Sequence, residues 1–179
     1  MIATMKVTLK PTPEQEVKLF QSPGTARFVY NWALNKQQEN YKNGGKFIFD
    51  NILRKEITQL KKTEDFKWLN DVSCNVAKQA VKDACNAYKR FFKKQSAFPK
   101  FKSKKKTRPS FYNDSVTLKV KQDLVLIEKV GWLKTSEQLP MNIKYYNPRI
   151  TFDNKYWYIS VGYETTYPTQ ELTDEVLGI

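Results

Sequence analysis

The stretch that decides the fold is residues 97–108, which read AFPKFKSKKKTR and lie just past the middle of the 179-residue chain. Six of these twelve residues are lysine or arginine and none is acidic, so a polyanion is the natural counter-ion of the segment. Phe98 and Phe101 alternate with the basic residues, which allows stacking and charge to act together along a nucleic-acid strand. This stretch, which we name the basic segment, is expected to contact nucleic acid. The alternative is that it is a solvated basic linker.

The hydrophobic periodicity changes across this stretch. Before it, apolar residues recur at helical spacings of three and four, as in Val76, Ala80 and Ala84. After it, apolar and polar residues alternate, as in Val116 to Val120. The chain therefore combines a helical half with a half made of short strands.

Capping signals predict where the helices begin. Residues 12–15 (TPEQ) form a capping box with proline at the first helical position. Residues 22–23 (SP) repeat the start signal, so we expect a second helix from there to the two glycines at 44–45. Asp50 is expected to cap a third helix and Ser73 to begin a fourth.

The strand-like segments predict a small antiparallel sheet. Residues 5–10 form a short strand, and several more follow residue 115. Residues 153–155 (DNK) turn between two apolar runs and predict a hairpin, because Asp and Asn tolerate unusual backbone angles. Five or six such strands can close a barrel, so the expected fold class is α+β, a small antiparallel β-barrel interrupted by a helical insertion.

Composition limits the possible functions. The formal charge of +13 and a pI near 9.6 favour nucleic acid over small acidic substrates as partner. The chain has no histidine, which excludes histidine-based catalysis, and two cysteines are too few for a zinc cluster. Cys74 and Cys85 are expected to be buried small residues within one helix. No apolar run is long enough for a membrane span and no signal peptide is recognisable, so we expect a cytoplasmic protein without a membrane partner.

Two groups of polar residues leave their role open. Ser73, Asn75 and Lys78 occupy the first turn of the fourth helix, where such residues either read base edges in a major groove or cap the helix and face solvent. A second group lies on one face of the preceding long helix and either contacts phosphates or faces water: Arg27, Asn31, Asn35 and Gln38.

Five motifs together resemble a known family. They are residues 27–34 (RFVYNWAL), 68–69 (WL), 91–92 (FF), 98–102 (FPKFK) and 131–132 (GW). In order and spacing they resemble the N-terminal half of the TnpB (OrfB) proteins encoded by insertion sequences, over nearly the whole chain. Full-length members are related to compact type V CRISPR effectors and cut DNA with a RuvC-like nuclease domain.

The resemblance implies a domain organisation. Residues 1–10 and 102–166 would form a wedge-like β-barrel, and residues 11–101 a helical recognition domain. Residues 167–179 would begin a truncated RuvC-like domain. Together these parts would bind a guide RNA and read a short motif in double-stranded DNA beside the target, as in other guided systems.

The resemblance also implies roles for individual residues. Those expected to read the DNA motif are Ser73, Asn75, Lys78, Tyr112 and Asn113. Those expected to contact the nucleic-acid backbone are Arg27, Lys100, Lys102, Lys104, Lys105, Lys106, Arg108 and Lys134.

The last residues bear on activity. Residues 175–179 (EVLGI) resemble the opening strand of the RuvC domain, after which the family carries its first catalytic aspartate. Cleavage by two metal ions needs clustered carboxylates, so we expect no catalytic residue, no metal site and no cofactor in this chain, with divalent metal only in the missing nuclease domain.

The expected function is therefore the nucleic-acid-binding half of an RNA-guided DNA endonuclease in a bacterium, associated with the nucleoid. No small-molecule substrate is expected. Alternatives are a nuclease-dead, guide-directed repressor, a stand-alone DNA-binding regulator, or a basic structural module that binds nucleic acid only incidentally.

Overall fold

The computed structural model describes residues 1–166 as a mixed α and β fold in which every α-helix falls between the first and second strands. In chain order the elements are β1 Ile2–Lys10, α1 Pro13–Lys42, α2 Asp50–Leu60, a 3-10 helix Glu64–Asn70, α3 Cys74–Phe92, β2 Ser110–Tyr112, β3 Lys119–Lys121, β4 Leu124–Ile127, β5 Gly131–Thr135, β6 Tyr145–Phe152 and β7 Trp157–Glu164.

The seven strands form one antiparallel sheet in the order β2-β6-β7-β1-β5-β4-β3. β1 lies in its middle, paired over eight residues with β7 and over two with β5. The eight-residue pairing of the first strand can therefore form only after β7 has been made. The helices leave from the end of β1 and return to the sheet at β2, so they form an insertion into it.

Two hydrophobic cores follow from this arrangement. One is built on the sheet and includes the fully buried Trp157, Ile150 and Leu133. The other lies among the helices, where the alanines of α3 pack against Val29 and Leu34 of α1. Small residues on α3 let the two helices approach closely, as its apolar stripe predicted.

Three apolar side chains from the helical region belong to the core of the sheet, namely Leu19 of α1, Val72 and Val76. Ala26 packs against both cores. The helical insertion is thus attached to the sheet by buried apolar contacts and not only by its two chain connections.

Local signals placed several elements correctly. Thr12 and Gln15 form the capping box of α1, and Ser73 caps α3 with its hydroxyl. The 153–155 turn is confirmed, because the Asp153 carboxylate accepts hydrogen bonds from the backbone N–H groups of Lys155 and Tyr156, and Asn154 has a φ of 78°.

Three local predictions were wrong. Pro23 does not begin a new helix but lies inside α1, where it and Ser22 are buried and packing outweighs the missing N–H donor. Asp50 is not an N-cap; it is the first residue of α2 and pairs with Arg54 at 3.0 Å. Cys74 is exposed, whereas Cys85 is buried as expected.

The barrel expected from the sequence is not confirmed. Within residues 1–166 the seven strands form an open sheet, and its two edge strands are β2 and β3. β2 and β3 are only three residues long, so each offers few hydrogen-bonding groups for closure. The predicted domain boundaries remain predictions, and the stretch 167–179 lies outside the described residues.

None of the helices in the described range 1–166 combines the length and apolarity needed to cross a membrane.

The junction between helices and sheet yields a stability prediction. Leu19→Ala should lower the free energy of unfolding by about 2–5 kcal/mol, because it opens a cavity in the core of the sheet beneath α1. Val17→Ala, on the same helix but 61% exposed, should change it by less than about 0.5 kcal/mol. Urea unfolding followed by circular dichroism measures both, and equal losses in the two variants would contradict the role given to Leu19.

Candidate nucleic-acid interface

A groove of about 990 Å³ lies between the first half of α1, the 3-10 helix, the basic segment and the β6–β7 hairpin. Among the described residues lining this basic groove, one is acidic, Asp71, and five are cationic. The cations are Arg27, Lys104, Lys105, Lys106 and Arg108. Five predicted backbone-contacting residues thus meet in one groove, which concentrates positive potential between low-dielectric walls.

Aromatic side chains form the other part of the groove wall. Phe28 and Trp68 meet edge to face with centroids 5.1 Å apart, and Phe20 and Phe152 do so at 5.0 Å. Phe20 and Trp68 remain 44% and 41% exposed. Rings left open beside lysines and arginines are suited to a ligand that carries both flat faces and phosphates.

The basic segment is held against α1 by an asparagine. The Asn31 side chain donates a hydrogen bond to the backbone carbonyl of Lys102 and accepts one from its backbone N–H, both at 2.8 Å. These two hydrogen bonds satisfy the backbone of Lys102 in the way that a neighbouring β-strand would. The face of α1 that contains Asn31 was expected to contact phosphates or water, and for Asn31 neither alternative holds.

Lys102 differs from the other lysines of the segment because its charge is turned inward. Its Nζ lies 3.9 Å from the centroid of the Tyr30 ring. Burial lowers the pKa of Lys102, and the nearby Asp83 carboxylate opposes that shift. Lys102 therefore fixes the segment in place and leaves the three lysines that follow it free to face the groove.

An ion pair beneath the segment connects α3 to the sheet. Arg149 Nη2 donates to both oxygens of Asp83, at 3.1 and 2.9 Å, and Gln79 donates to the same carboxylate at 2.8 Å. A bulge in β6 between Tyr146 and Arg149 adds one residue to that strand, which changes where the arginine points. The pair is about one quarter exposed, so it is partly shielded from salt.

Three predicted motif-reading residues meet around Glu128. Its Oε2 accepts hydrogen bonds from Ser73 Oγ at 2.6 Å and from Asn75 Nδ2 at 3.2 Å. Its backbone N–H donates to Asn113 Oδ1 at 3.1 Å. Ser73 and Asn113 are buried, so both already use their polar atoms within the protein. Their role in reading DNA stays a prediction.

The other predicted residues lie apart from this cluster and from the groove. Lys78 is exposed on α3, where it lies near Lys61, whose pKa is lowered by burial. The Tyr112 ring is 5.7 Å from the Arg149 guanidinium. Lys100 is exposed in the basic segment, and Lys134 is exposed on β5 opposite Lys10 of β1. The structure does not bring these two lysines into the groove.

Sequence reasoning missed three contributors to the interface. Glu128 organises the Ser73 cluster, but a single glutamate after a short strand has no signal that would identify it. From the sequence, Phe20 and Phe152 could be interpreted only as apolar core residues. Their partial exposure depends on how the β6–β7 hairpin packs against α1.

Within the described part of the chain, no group of three or more His, Cys, Asp or Glu is placed to hold a metal ion. Asp174 and Glu175 lie outside the described residues.

Comparison with known proteins identifies relatives of this chain. Residues 1–46 match the family HTH_OrfB_IS605, described as a helix-turn-helix domain. In this structure that range contains β1 and one long helix. The protein InsQ of Escherichia coli K12, named as a candidate RNA-guided DNA endonuclease, is 31% identical over 170 residues, which are 94% of this chain and 42% of InsQ.

Two further relatives agree with the first. A candidate RNA-guided DNA endonuclease of Streptomyces pristinaespiralis is 29% identical over 178 residues, covering 97% of this chain and 44% of that protein. A candidate transposase, A625R, of Paramecium bursaria Chlorella virus 1 is 29% identical over 108 residues, 58% of this chain and 24% of its own length. The chain spans less than half the length of these curated relatives.

The anchoring of the basic segment can be tested without changing any charge. Asn31→Ala should lower the free energy of unfolding by about 1–3 kcal/mol and speed tryptic cleavage within residues 104–108, because the backbone of Lys102 loses both of its bonds to α1. Asn35→Ala is the matched control, since that side chain only bonds the exposed Glu39 one turn away. Equal cleavage rates in the two variants would show that Asn31 does not hold the segment.

Proposed function

These relatives confirm the resemblance of the chain to the N-terminal half of the TnpB (OrfB) proteins, and from this premise we propose that it is the nucleic-acid-binding half of an RNA-guided DNA endonuclease. The observation that carries the proposal is the basic groove, with five cations, one acidic residue and an exposed aromatic wall among its described lining residues. Nucleic-acid binding and a transposon origin agree with the names of the relatives.

The groove acts through charge and shape. Lys104, Lys105 and Lys106 lie on a turn closed by the Thr107 N–H to Ser103 carbonyl bond, so their positions are held although their side chains are exposed. Each cation placed near a phosphate releases a condensed counterion, which favours binding whatever the sequence. A structured guide RNA is the ligand we assign to this groove.

Reading of the DNA motif is assigned to the beginning of α3. Glu128 orients Ser73 and Asn75, and Lys78 is an exposed cation one turn into the helix. The N-terminal turn of a helix can enter a major groove, where Lys and Asn recognise base edges. Specificity for the rest of the target would come from base pairing by the guide.

Cleavage is assigned to a nuclease domain outside the residues described here. Such a domain would supply the carboxylates that hold two metal ions and activate water for attack on the phosphodiester. For this chain we propose binding alone, without cofactor. A guide-directed repressor would use the same residues in the same way.

Titration across a range of salt concentrations tests the proposal. The purified chain should bind a structured RNA more tightly than a short DNA duplex, and its affinity should fall steeply as salt rises. A preference for one duplex sequence without RNA would instead indicate a stand-alone DNA-binding regulator. Binding no tighter than that of a charge-matched control protein would refute the proposal.

The groove lysines give a quantitative prediction. Lys104→Ala with Lys105→Ala should weaken binding to every sequence and reduce the slope of log K against log salt by about 1.4–1.8, because two phosphate contacts are lost. Lys119→Ala with Lys121→Ala removes the same charge from an exposed edge strand outside the groove. An equal slope change in that control would show that only net charge matters.

The α3 assignment predicts a different result. Lys78→Ala should change which flanking motif is preferred while binding of structured RNA stays within about twofold, because base contacts specify and phosphate contacts position. Lys82→Ala, one turn further along α3 and also exposed, is the control. Selection of bound duplexes from a randomised pool measures the preference, and an unaltered motif in Lys78→Ala would remove the assignment.

A further inference from the structure

A second concave surface lies near the far end of α1, about 25 Å along the helix from the basic groove. Its volume is about 460 Å³, and it is formed by the ends of α1 and α3, the loop that follows α1 and the start of the basic segment. We name it the aromatic pocket after the rings that line it, Tyr41, Phe47, Tyr88, Phe91, Phe92 and Phe98.

Phe98 packs edge to face against two other rings of the aromatic pocket, and several of the pocket's rings remain exposed to solvent. Phe98 meets Phe91 at 5.2 Å and Tyr88 at 5.7 Å between centroids. Phe92 is 58% exposed and Tyr41 is 79% exposed. Edge contacts among the rings leave ring faces free, and free faces are what a flat ligand needs for stacking.

A buried polar atom belongs to the same pocket. Tyr88 is 5% exposed, and burial raises the pKa of its hydroxyl while the nearby Gln38 side chain opposes that shift. The two groups do not reach hydrogen-bond geometry, so the hydroxyl has no hydrogen-bond partner among the described residues. A buried hydroxyl without a partner is uncommon, because the lost hydration is not repaid. A ligand that brings a hydrogen-bonding edge into the pocket would satisfy this group.

The charges around the pocket are of one sign. Lys42 and Lys46 line it, and Lys89 Nζ lies 6.0 Å from the Phe47 ring centroid. No carboxylate lines it within the part of the chain that the structure describes. A second copy of the chain seated on this surface would bring lysines against lysines, whereas a polyanion is attracted to them.

From these features we propose that the aromatic pocket binds an unpaired base of a single-stranded nucleic acid. The base stacks on the exposed rings of Tyr41 and Phe92, its polar edge bonds the Tyr88 hydroxyl, and the adjoining phosphates lie near Lys42 and Lys46. A base in a duplex is already stacked and paired, so the pocket selects single strands.

The proposal goes beyond the function assigned to the basic groove, because the aromatic pocket shares no lining residue with it. The two sites are connected by residues 98–108, which run from Phe98 in the pocket to Arg108 in the groove. A strand that follows this segment can therefore place a base in the pocket and its backbone in the groove.

Fluorescence anisotropy with defined probes tests the proposal. The double variant Tyr41→Ala with Phe92→Ala should bind a twelve-nucleotide oligouridine and an oligodeoxyuridine of the same length about 5- to 20-fold more weakly, and a twelve-base-pair RNA duplex within about twofold of the unchanged chain. If the affinity for both single strands falls comparably, the pocket contacts base and phosphate. If the affinity for only one of them falls, the pocket also contacts the sugar of that strand. No loss on either, or an equal loss on the duplex, overturns the proposal.

The matched control is Tyr156→Ala, which removes a ring that is 46% exposed and lies 4.9 Å from Lys155 Nζ, but on the β6–β7 hairpin outside the pocket. It should leave all three affinities unchanged. If it weakens single-strand binding as much as the pocket variant does, exposed rings act non-specifically and the pocket is not a site.

The hydroxyl has its own test. Tyr88→Phe should keep or raise the unfolding midpoint, because it removes an unpartnered buried group, while it weakens oligouridine binding about 3- to 10-fold. Unchanged affinity would overturn the assigned hydrogen bond. A dimer seen by sedimentation at micromolar concentration and lost in the Tyr41 and Phe92 double variant would assign the pocket to self-association and overturn the proposal.

Discussion

The pairing of β1 with β7 is the constraint on which the rest of the structure depends. It joins Ile2–Lys10 to Trp157–Glu164 across almost the whole described chain and puts the first strand in the middle of the sheet. The helices must then leave the sheet and return to it, and the basic segment runs back along α1 before it reaches β2. The contact between Asn31 and Lys102 lies on that path. Such long-range pairing carries a large loop-closure entropy, which the two buried cores offset.

The placement of charge explains how a protein of net charge +13 can be compact. Two partly buried cations have partners, since Arg149 bonds Asp83 and Lys102 lies over the Tyr30 ring. The exposed cations of the basic groove lie close together beside one carboxylate among the described lining residues, so they repel one another until a polyanion binds. The Asn31 hydrogen bonds and the contact of Lys102 with Tyr30 hold the segment in place, and the charges of Lys104, Lys105 and Lys106 are left for the ligand.

Much of the local structure and part of the candidate site could be predicted from residue patterns. The box at Thr12, the cap at Ser73 and the turn at Asp153 depend on neighbours within three residues, and all three are present. The concentration of lysines after Phe98 pointed to the groove that they line. The same local rules failed at Pro23 because burial of α1 outweighs the helix-breaking tendency of proline. They could not identify Glu128, whose side chain bonds Ser73 and Asn75 at the beginning of α3, more than 50 residues away.

By itself the sequence determined the division into a helical half and a strand half, and the caps that begin α1 and α3. It also determined the excess of basic residues that favours a polyanionic partner. Each of these features depends on composition or on near neighbours in the chain. Only the tertiary structure decided that Arg27 joins Lys104, Lys105, Lys106 and Arg108 in one groove, and that the described strands form an open sheet. It likewise decided that Asn31 holds backbone instead of ligand. These outcomes depend on which distant surfaces are buried against each other, and that is set by the free energy of the whole packed chain and not by any short pattern.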